Sequence, residues 1–293
     1  MSPCIITGCR GTARLRYRLR RFDVVECASC GMLYRDPLPT PDEMRELYND
    51  RSYTQSRYFS HQLDPALALS GPEVPIYRKA LDWLEARVPR AGERFTLLDI
   101  GCGTGLFLSI ARERGWSVDG VEISAEHAAH ATETLGIQVQ CADFSDAKLN
   151  HERYQVVTLW DVLEHLADPE AALRRAHALV APGGYLLIFT IDSASLFNRL
   201  AHVSYWLTGG RITQPSELLY DARHNYYFTG RSLAALVEGC DFQIEAREHS
   251  RAYLGRWLVE PGPRWLVAGA EVIDRISVPL RGQYRQLLFC RPG

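Results

Sequence analysis

Residues 97–105 read Leu97-Leu98-Asp99-Ile100-Gly101-Cys102-Gly103-Thr104-Gly105. A short apolar run carries one acid, and three glycines at alternate positions follow before a stretch of helical periodicity. That order predicts a buried strand, a sharp turn and a helix. Glycine lets the backbone bend and approach a ligand closely, and the helix behind it begins with free N–H groups. In a parallel sheet such a loop lies at the carboxyl end of a strand, where ligands bind. The spacing is G-x-G-x-G, so the last glycine comes one place early for the dinucleotide fingerprint. Asp99 stands two residues before the first glycine, and a carboxylate there suits a cation better than a pyrophosphate.

The pattern continues outward from this loop. Strands are expected at 95–100, 117–122, 139–141, 154–160, 185–191, 242–248 and 285–290, the fifth after a Pro182-Gly183-Gly184 turn. Helices are expected at 105–114, from Ser124 as N-cap to about 135, at 169–180 and at 231–238. Regular β-α-β alternation predicts a doubly wound α/β sheet. Residues 193–228 interrupt it and are rich in aromatic side chains. Glu122 closes the second strand, where a carboxylate can accept from two ribose hydroxyls. Asp143 follows the third, within reach of an adenine amine.

The pieces LLDIGCGTG, VDGVEIS, CADF, LWDVLEHLADP and APGGYLLI occur in this order. Together they resemble the class I S-adenosylmethionine (SAM)-dependent methyltransferases over roughly residues 75–250. The resemblance implies that Gly101, Cys102, Gly103 and Gly105 cradle the cofactor and that Asp99 holds its amino-acid end. Glu122 would bind the ribose, Ile123 would pack on the adenine, and Asp143 with Phe144 would frame it. Trp160 and Asp161 would end the fourth strand beside the methyl group. The expected fold is a seven-strand Rossmann-like sheet whose last strand runs antiparallel between the fifth and sixth. Gln155 stands where the family usually has an aspartate, at a position expected to be peripheral.

The chain has 293 residues, 46% hydrophobic and 23% charged, with a formal net charge of -2. This is the composition of an ordinary globular protein with room for one large domain and a small module. We divide it into an N-terminal module (1–36), a helical linker or cap (37–92), and a SAM-binding domain (93–293) with a lid insertion at 193–228. No run approaches the roughly 20 apolar residues of a membrane span. The N-terminus lacks a secretory pattern, so a cytoplasmic protein is expected.

Eight cysteines fit a reducing compartment if they stay reduced or bind metal. Cys4-x4-Cys9 and Cys27-x2-Cys30 form two close pairs, the arrangement of a structural four-thiolate zinc site. The other four are expected to be small buried hydrophobes. Between the pairs, Leu15, Tyr17 and Leu19 alternate with Arg14, Arg16, Arg18 and Arg20, which predicts a strand with one solvated face. The run Cys30-Gly31-Met32-Leu33-Tyr34-Arg35-Asp36-Pro37 resembles bacterial sugar C-methyltransferases and their natural-product relatives. A second group with a cysteine-rich start, ribosomal-RNA guanine methyltransferases, is less similar.

Methyl transfer needs alignment and, for some acceptors, removal of a proton. His224, in His224-Asn225-Tyr226-Tyr227-Phe228-Thr229, resembles the basic histidine of the sugar C-methyltransferases. The tyrosine and glutamate of that constellation are replaced by Asp221-Ala222-Arg223. His165 is the second candidate. The run Asp161-x2-Glu164-His165 resembles ubiquinone-pathway O-methyltransferases, whose acids and histidine here bind a divalent cation, and relatives that carry the run without metal. Leu196, Leu200, Val203 and Leu207 are spaced for an amphipathic helix. That helix is expected to cover an acceptor pocket lined by Phe197, Tyr205, Trp206 and Tyr220. The expected activity is methylation of a small-molecule acceptor: a natural product, a sugar or a quinone-like compound. Two alternatives are an RNA methyltransferase docking through the arginine face and a non-catalytic SAM-binding protein. Net charge and the lack of further basic runs oppose a nucleic-acid partner.

Overall fold

The computed structural model describes residues 4, 6, 9, 11–50, 54, 57–89, 95–149, 154–252 and 264–293. Its strands in chain order are β1 (Ala13–Arg18), β2 (Asp23–Cys27), β3 (Leu33–Asp36), β4 (Thr96–Ile100), β5 (Ser117–Glu122), β6 (Val139–Cys141), β7 (Tyr154–Trp160), β8 (Val180–Ile191), β9 (Tyr226–Tyr227), β10 (Phe242–Ser250) and β11 (Arg285–Pro292). The large sheet has the order β10-β11-β8-β7-β4-β5-β6. β4 pairs in parallel with β5 and β7, while β11 lies antiparallel between β8 and β10. The expected seven-strand sheet, with its reversed last strand, is the one that forms.

Its centre is dry on both faces. Every residue of β7 is buried. Leu98, Ile100, Val157, Leu159, Leu186 and Ile188 join one core cluster, while Leu97, Val156, Tyr185, Leu187 and Phe189 join another. Side chains alternate across a strand, so a continuous apolar run feeds two cores at once.

The fifth strand begins earlier than expected. Tyr154 faces Val180 and Val156 faces Tyr185, so Pro182-Gly183-Gly184 is a bulge inside β8 rather than a turn before it. A Cβ on Gly184 would meet the Gln155 carbonyl oxygen at 2.6 Å, which requires glycine there. Gln155 itself accepts from the Thr96 N–H at 3.1 Å and donates to the Pro89 carbonyl. It sits where the strands enter the sheet, away from the glycine loop, as a peripheral residue should.

A second sheet has the order β1-β2-β3-β9. Its fourth strand is supplied by residues 226–227, and Cys27, Met32 and Tyr34 share a core cluster with Leu98 and Ile100, so the small sheet packs directly on the large one. A two-residue strand gives no periodicity to read, which is why the sequence did not reveal it. In β1 the register slips between Leu15 and Tyr17. Tyr17 is buried, but the bulge leaves Leu15 exposed on the face expected to be covered. Among the scattered cysteines, Cys102, Cys240 and Cys290 are buried and Cys141 is exposed.

Candidate functional site

The chain leaves β4 at Ile100 and turns through Gly101, Gly103 and Gly105, all at positive φ. A Cβ on Gly101 would come within 2.5 Å of Val162 Cγ2. Glu122, at the end of β5, holds the loop. One carboxylate oxygen accepts from the Gly103 N–H at 2.7 Å and the other from the Ser124 N–H at 2.8 Å. Asp99 is buried and accepts from Thr158 Oγ1 at 2.6 Å. Burial pushes its pKa up to about 8 against that hydrogen bond, and the Glu122 charge adds to the rise. Burial likewise raises Glu122, opposed by its two backbone donors. A cation beside two such buried acids would favour their ionised forms.

The loop opens into a cavity of about 710 Å³. Asp99, Gly101, Cys102, Gly103, Glu122, Ile123, Asp143 and Phe144 line one part of it, and Trp160, Asp161, His165 and His224 another. Every expected cofactor and catalytic residue except Gly105 contributes to the wall. Gly105 is the N-cap of the helix Leu106–Glu113, and a Cβ there would meet Ala131 Cβ at 3.0 Å and Leu135 Cδ1 at 3.2 Å. Packing and its left-handed conformation both call for glycine there.

The part of the cavity that holds the histidines is built by the turn after β7. Asp161 takes φ 56°, rare for a residue with a side chain, and donates its N–H to the Phe189 carbonyl at 2.8 Å. Its carboxylate pairs with Arg285, whose guanidinium lies 4.4 Å over the Phe189 ring. Leu163–His165 then forms one 3₁₀ turn. His165 Nδ1 lies 3.0 Å from the Arg223 carbonyl oxygen. A carbonyl only accepts, so Nδ1 carries the hydrogen and Nε2 the lone pair. The His224 ring meets His165 edge-on at 4.6 Å between centroids.

Burial lowers the pKa of both histidines. For His165 the Arg223 carbonyl bond and the Asp221 charge oppose the shift. His224 falls well below the ordinary value, with the charges of His165, Arg223 and Arg285 adding to burial and Asp221 opposing. Glu164 is pushed up to about 8 by burial and by the charge of Asp161. Glu164, His165 and His224 converge, with ligand-capable atoms within 4.8 Å of one another. Asp161, the first acid of the run, is drawn away to Arg285.

The cover of the cavity differs from expectation. No residue of 193–222 lines it; Met44, Arg45, Tyr48, Phe59, Gln62 and Tyr77 do. The helix Leu196–Leu207 buries Phe197, Asn198 and Ala201 and leaves Leu200, Val203 and Leu207 exposed. Tyr205 of this helix and Tyr220 beyond it pack on the small sheet, their rings 5.1 Å and 4.9 Å from Tyr17. Trp206 is 71% exposed. The spacing was a correct helix signal, but the stripe it singled out faces outward, and Phe197, Asn198 and Ala201 make the packed face. In its place Tyr77 packs edge-on to Trp160 at 4.6 Å, and Gln62 accepts from Thr104 Oγ1 at 2.9 Å. Arg285 also escaped sequence reading. Its one signal is a cation that opens the core strand Arg285-Gln286-Leu287-Leu288-Phe289-Cys290.

The four N-terminal cysteines meet. Cys4 and Cys30 sulfurs are 3.3 Å apart and Cys9 and Cys27 sulfurs 3.5 Å, with all four within 4.8 Å of one another. These separations far exceed a disulfide bond of about 2.05 Å. They suit four sulfurs placed at about 2.3 Å around one ion. Burial raises Cys4, and raises Cys30 to about 11. Burial also acts on Cys27, but backbone donors at Cys30 and Ser29 outweigh it and bring that thiol to about 7. A Cβ on Gly11 would collide with Cys27 Sγ, so the quartet needs glycine there. The arginine face of β1 is met by acids, Arg14 and Arg16 by Glu26 and Arg20 by Glu217. No helix among the described residues is long and apolar enough to cross a membrane.

Comparison with known proteins agrees with this geometry. A family described as a methyltransferase domain matches residues 74–247. A ubiquinone biosynthesis O-methyltransferase from Pseudomonas paraeruginosa is 33% identical over 119 residues, covering 38% of this chain and 50% of that protein. The chain thus matches about half the length of such curated relatives. A [4+2]-cyclase, SpnF, superposes with TM-score 0.58 at 15% identity, covering 87% of this chain and 98% of that one. A geranyl diphosphate C-methyltransferase from Streptomyces coelicolor A3(2) gives TM-score 0.55 at 15% identity, with 87% and 99% coverage.

Proposed function

The chain belongs to the methyltransferase-domain family, and on that footing we propose that it transfers the methyl group of SAM to a small-molecule acceptor. One observation carries the reading. A buried carboxylate, Glu122, is clamped to the glycine loop in a cavity that continues to a histidine pair. SAM supplies an electrophilic methyl group on a sulfonium. Asp99 faces its cationic amino-acid end, and Glu122 keeps lone pairs for the ribose hydroxyls while accepting from Gly103 and Ser124. Ile123, Asp143 and Phe144 frame the adenine. Trp160, with Tyr77 and Phe107 packed on it, forms an aromatic wall.

The acceptor lies against Trp160, His165 and His224, under the cover from Met44, Tyr48, Phe59 and Tyr77. Aromatic walls and a few polar groups suit a natural-product, sugar or quinone-like ring. When the acceptor must lose a proton, His165 Nε2 takes it, because the Arg223 carbonyl fixes that tautomer. His224, foremost on sequence grounds, is the weaker base because its pKa is lowered further. It backs His165 edge-on.

The Cys4, Cys9, Cys27 and Cys30 quartet holds a structural zinc ion with no open position. Reduced thiolates of this kind suit the cytoplasm.

Calorimetry tests the cofactor assignment. Glu122→Ala is expected to weaken SAM binding by about 2–3 kcal/mol, and an unchanged affinity would refute it. Radiolabelled methyl transfer tests the acceptor class: label from SAM should enter the small-molecule fraction of a cell extract. Label found in RNA instead, or nowhere, would overturn the small-molecule reading.

A further inference from the structure

Asn225 is buried and spends its N–H donors on the turn after β7. Its backbone N–H donates to the Glu164 carbonyl at 2.8 Å. Its side-chain Nδ2 donates to the carbonyls of His165 at 2.8 Å and Leu166 at 3.2 Å. Next to it, Tyr226 Oη donates to the Ala167 carbonyl at 3.0 Å. Four consecutive carbonyls after β7 are thus held by two consecutive residues of the 193–228 insertion. On its other side Asn225 accepts from the Arg35 N–H at 3.0 Å, one residue beyond the β3–β9 pairing. The Arg35 guanidinium donates to the Ala222 carbonyl. Both histidines flank these contacts: His224 precedes Asn225, and His165 donates to Arg223.

We propose that Asn225 is the positioning residue of the acceptor site, through which the cysteine-held sheet fixes the tautomer and edge-on packing of His165 and His224. The claim deepens the methyl-transfer reading and rests on its assignment of the histidine pair. The physical reason is the absence of local alternatives. A single 3₁₀ turn cannot satisfy its own carbonyls, and buried carbonyls need donors. Asn225 provides two donors in a rigid amide plane, and its own position is set by the strand pairing to β3. Loss of the amide frees the turn to shift, and the Nδ1–H bond of His165 to Arg223 goes with it. Loss of order in the cysteine quartet acts through β2, β3 and Arg35 on the same point.

The test uses the full chain with ¹⁵N-labelled histidine and long-range ¹H–¹⁵N spectra at neutral pH, together with SAM calorimetry. Wild type should show His165 as a single Nδ1–H tautomer. Asn225→Ala should abolish that pattern and broaden the His224 signals while SAM affinity stays unchanged. Tyr226→Phe, which removes one hydroxyl and keeps the ring, should shift the His165 signals without loss of folding. Chelation of the quartet's metal, verified by metal analysis, should give the same histidine change as Asn225→Ala. Unchanged histidine spectra in Asn225→Ala would overturn the proposal. Should that variant not fold, unchanged spectra in Tyr226→Phe would do so. A chain that binds no SAM but shows these histidine changes would instead sink the methyl-transfer reading and leave the positioning role standing.

Discussion

Asp99 shows how one residue carries both structure and ligand chemistry. Its burial keeps the carboxyl protonated up to about pH 8 in the ligand-free chain, against an ordinary value of 3.8. A pKa raised on folding contributes stability in acid, and that contribution is lost as pH rises through the folded value. The protein therefore tolerates a site whose charged form is unfavourable until a cation enters. On the proposed function SAM brings such a cation, and a positive charge beside Asp99 would return it to its ionised form. Binding at pH 7 should release about one proton, since Asp99 is mostly protonated before and ionised after. SAM affinity should rise by up to about tenfold per pH unit toward pH 8 and level off above it. Calorimetry in buffers of different ionisation enthalpy reads this directly. Equal binding enthalpies in phosphate and Tris would show that Asp99 does not meet the charge.

At the scale of elements, the two sheets were unequally legible. The glycine loop and the strands that flank it were readable because local order and site chemistry coincide there: apolar strand, acid, glycines, helix. The reversed last strand followed from the family resemblance. Two features depended on contacts between distant segments and left no local mark. β9 is two residues long, and Arg285 reaches Asp161 across 124 positions. The clustering of the two cysteine pairs was legible, but their sheet's pairing with residues 226–227 was not. That pairing has a thermodynamic consequence. Cys27 lies in the same core cluster as Leu98, Ile100 and Tyr226, so loss of metal should destabilise the whole chain. Wild-type protein purified without chelator should hold one zinc per chain. Cys27→Ser should release it and lower the midpoint of a single unfolding transition, by several kcal/mol on the scale of structural zinc sites. Two separated transitions would show that the N-terminal sheet folds independently.

For the molecule as a whole, the fold does not decide the chemistry. The same architecture superposes on a cyclase and on a C-methyltransferase, so the reaction must be argued from the groups that meet in the cavity. Here an α/β sheet delivers two acids and a glycine loop from its central strands, a helical segment closes the top, and the small sheet delivers His224 against His165. Both histidines are lowered by burial, so they stay neutral as pH falls through the ordinary value of 6.5. A group with a depressed folded pKa stabilises the chain above its unfolded value and loses that contribution as pH falls toward the folded one. Catalysis should follow the same sign: with an acceptor that must lose a proton, turnover should persist below pH 6.5 and fall only in more acid solution. His165→Ala should reduce turnover by roughly 10²–10⁴ and remove that acid limb, with SAM affinity nearly unchanged. His224→Ala should cost less and shift the limb, because it alters the surroundings of the base rather than removing it. The reverse ranking would return the proton to His224. If both variants keep full turnover across pH 6–9, no side-chain base operates, and the cavity acts by aligning an acceptor that is already nucleophilic.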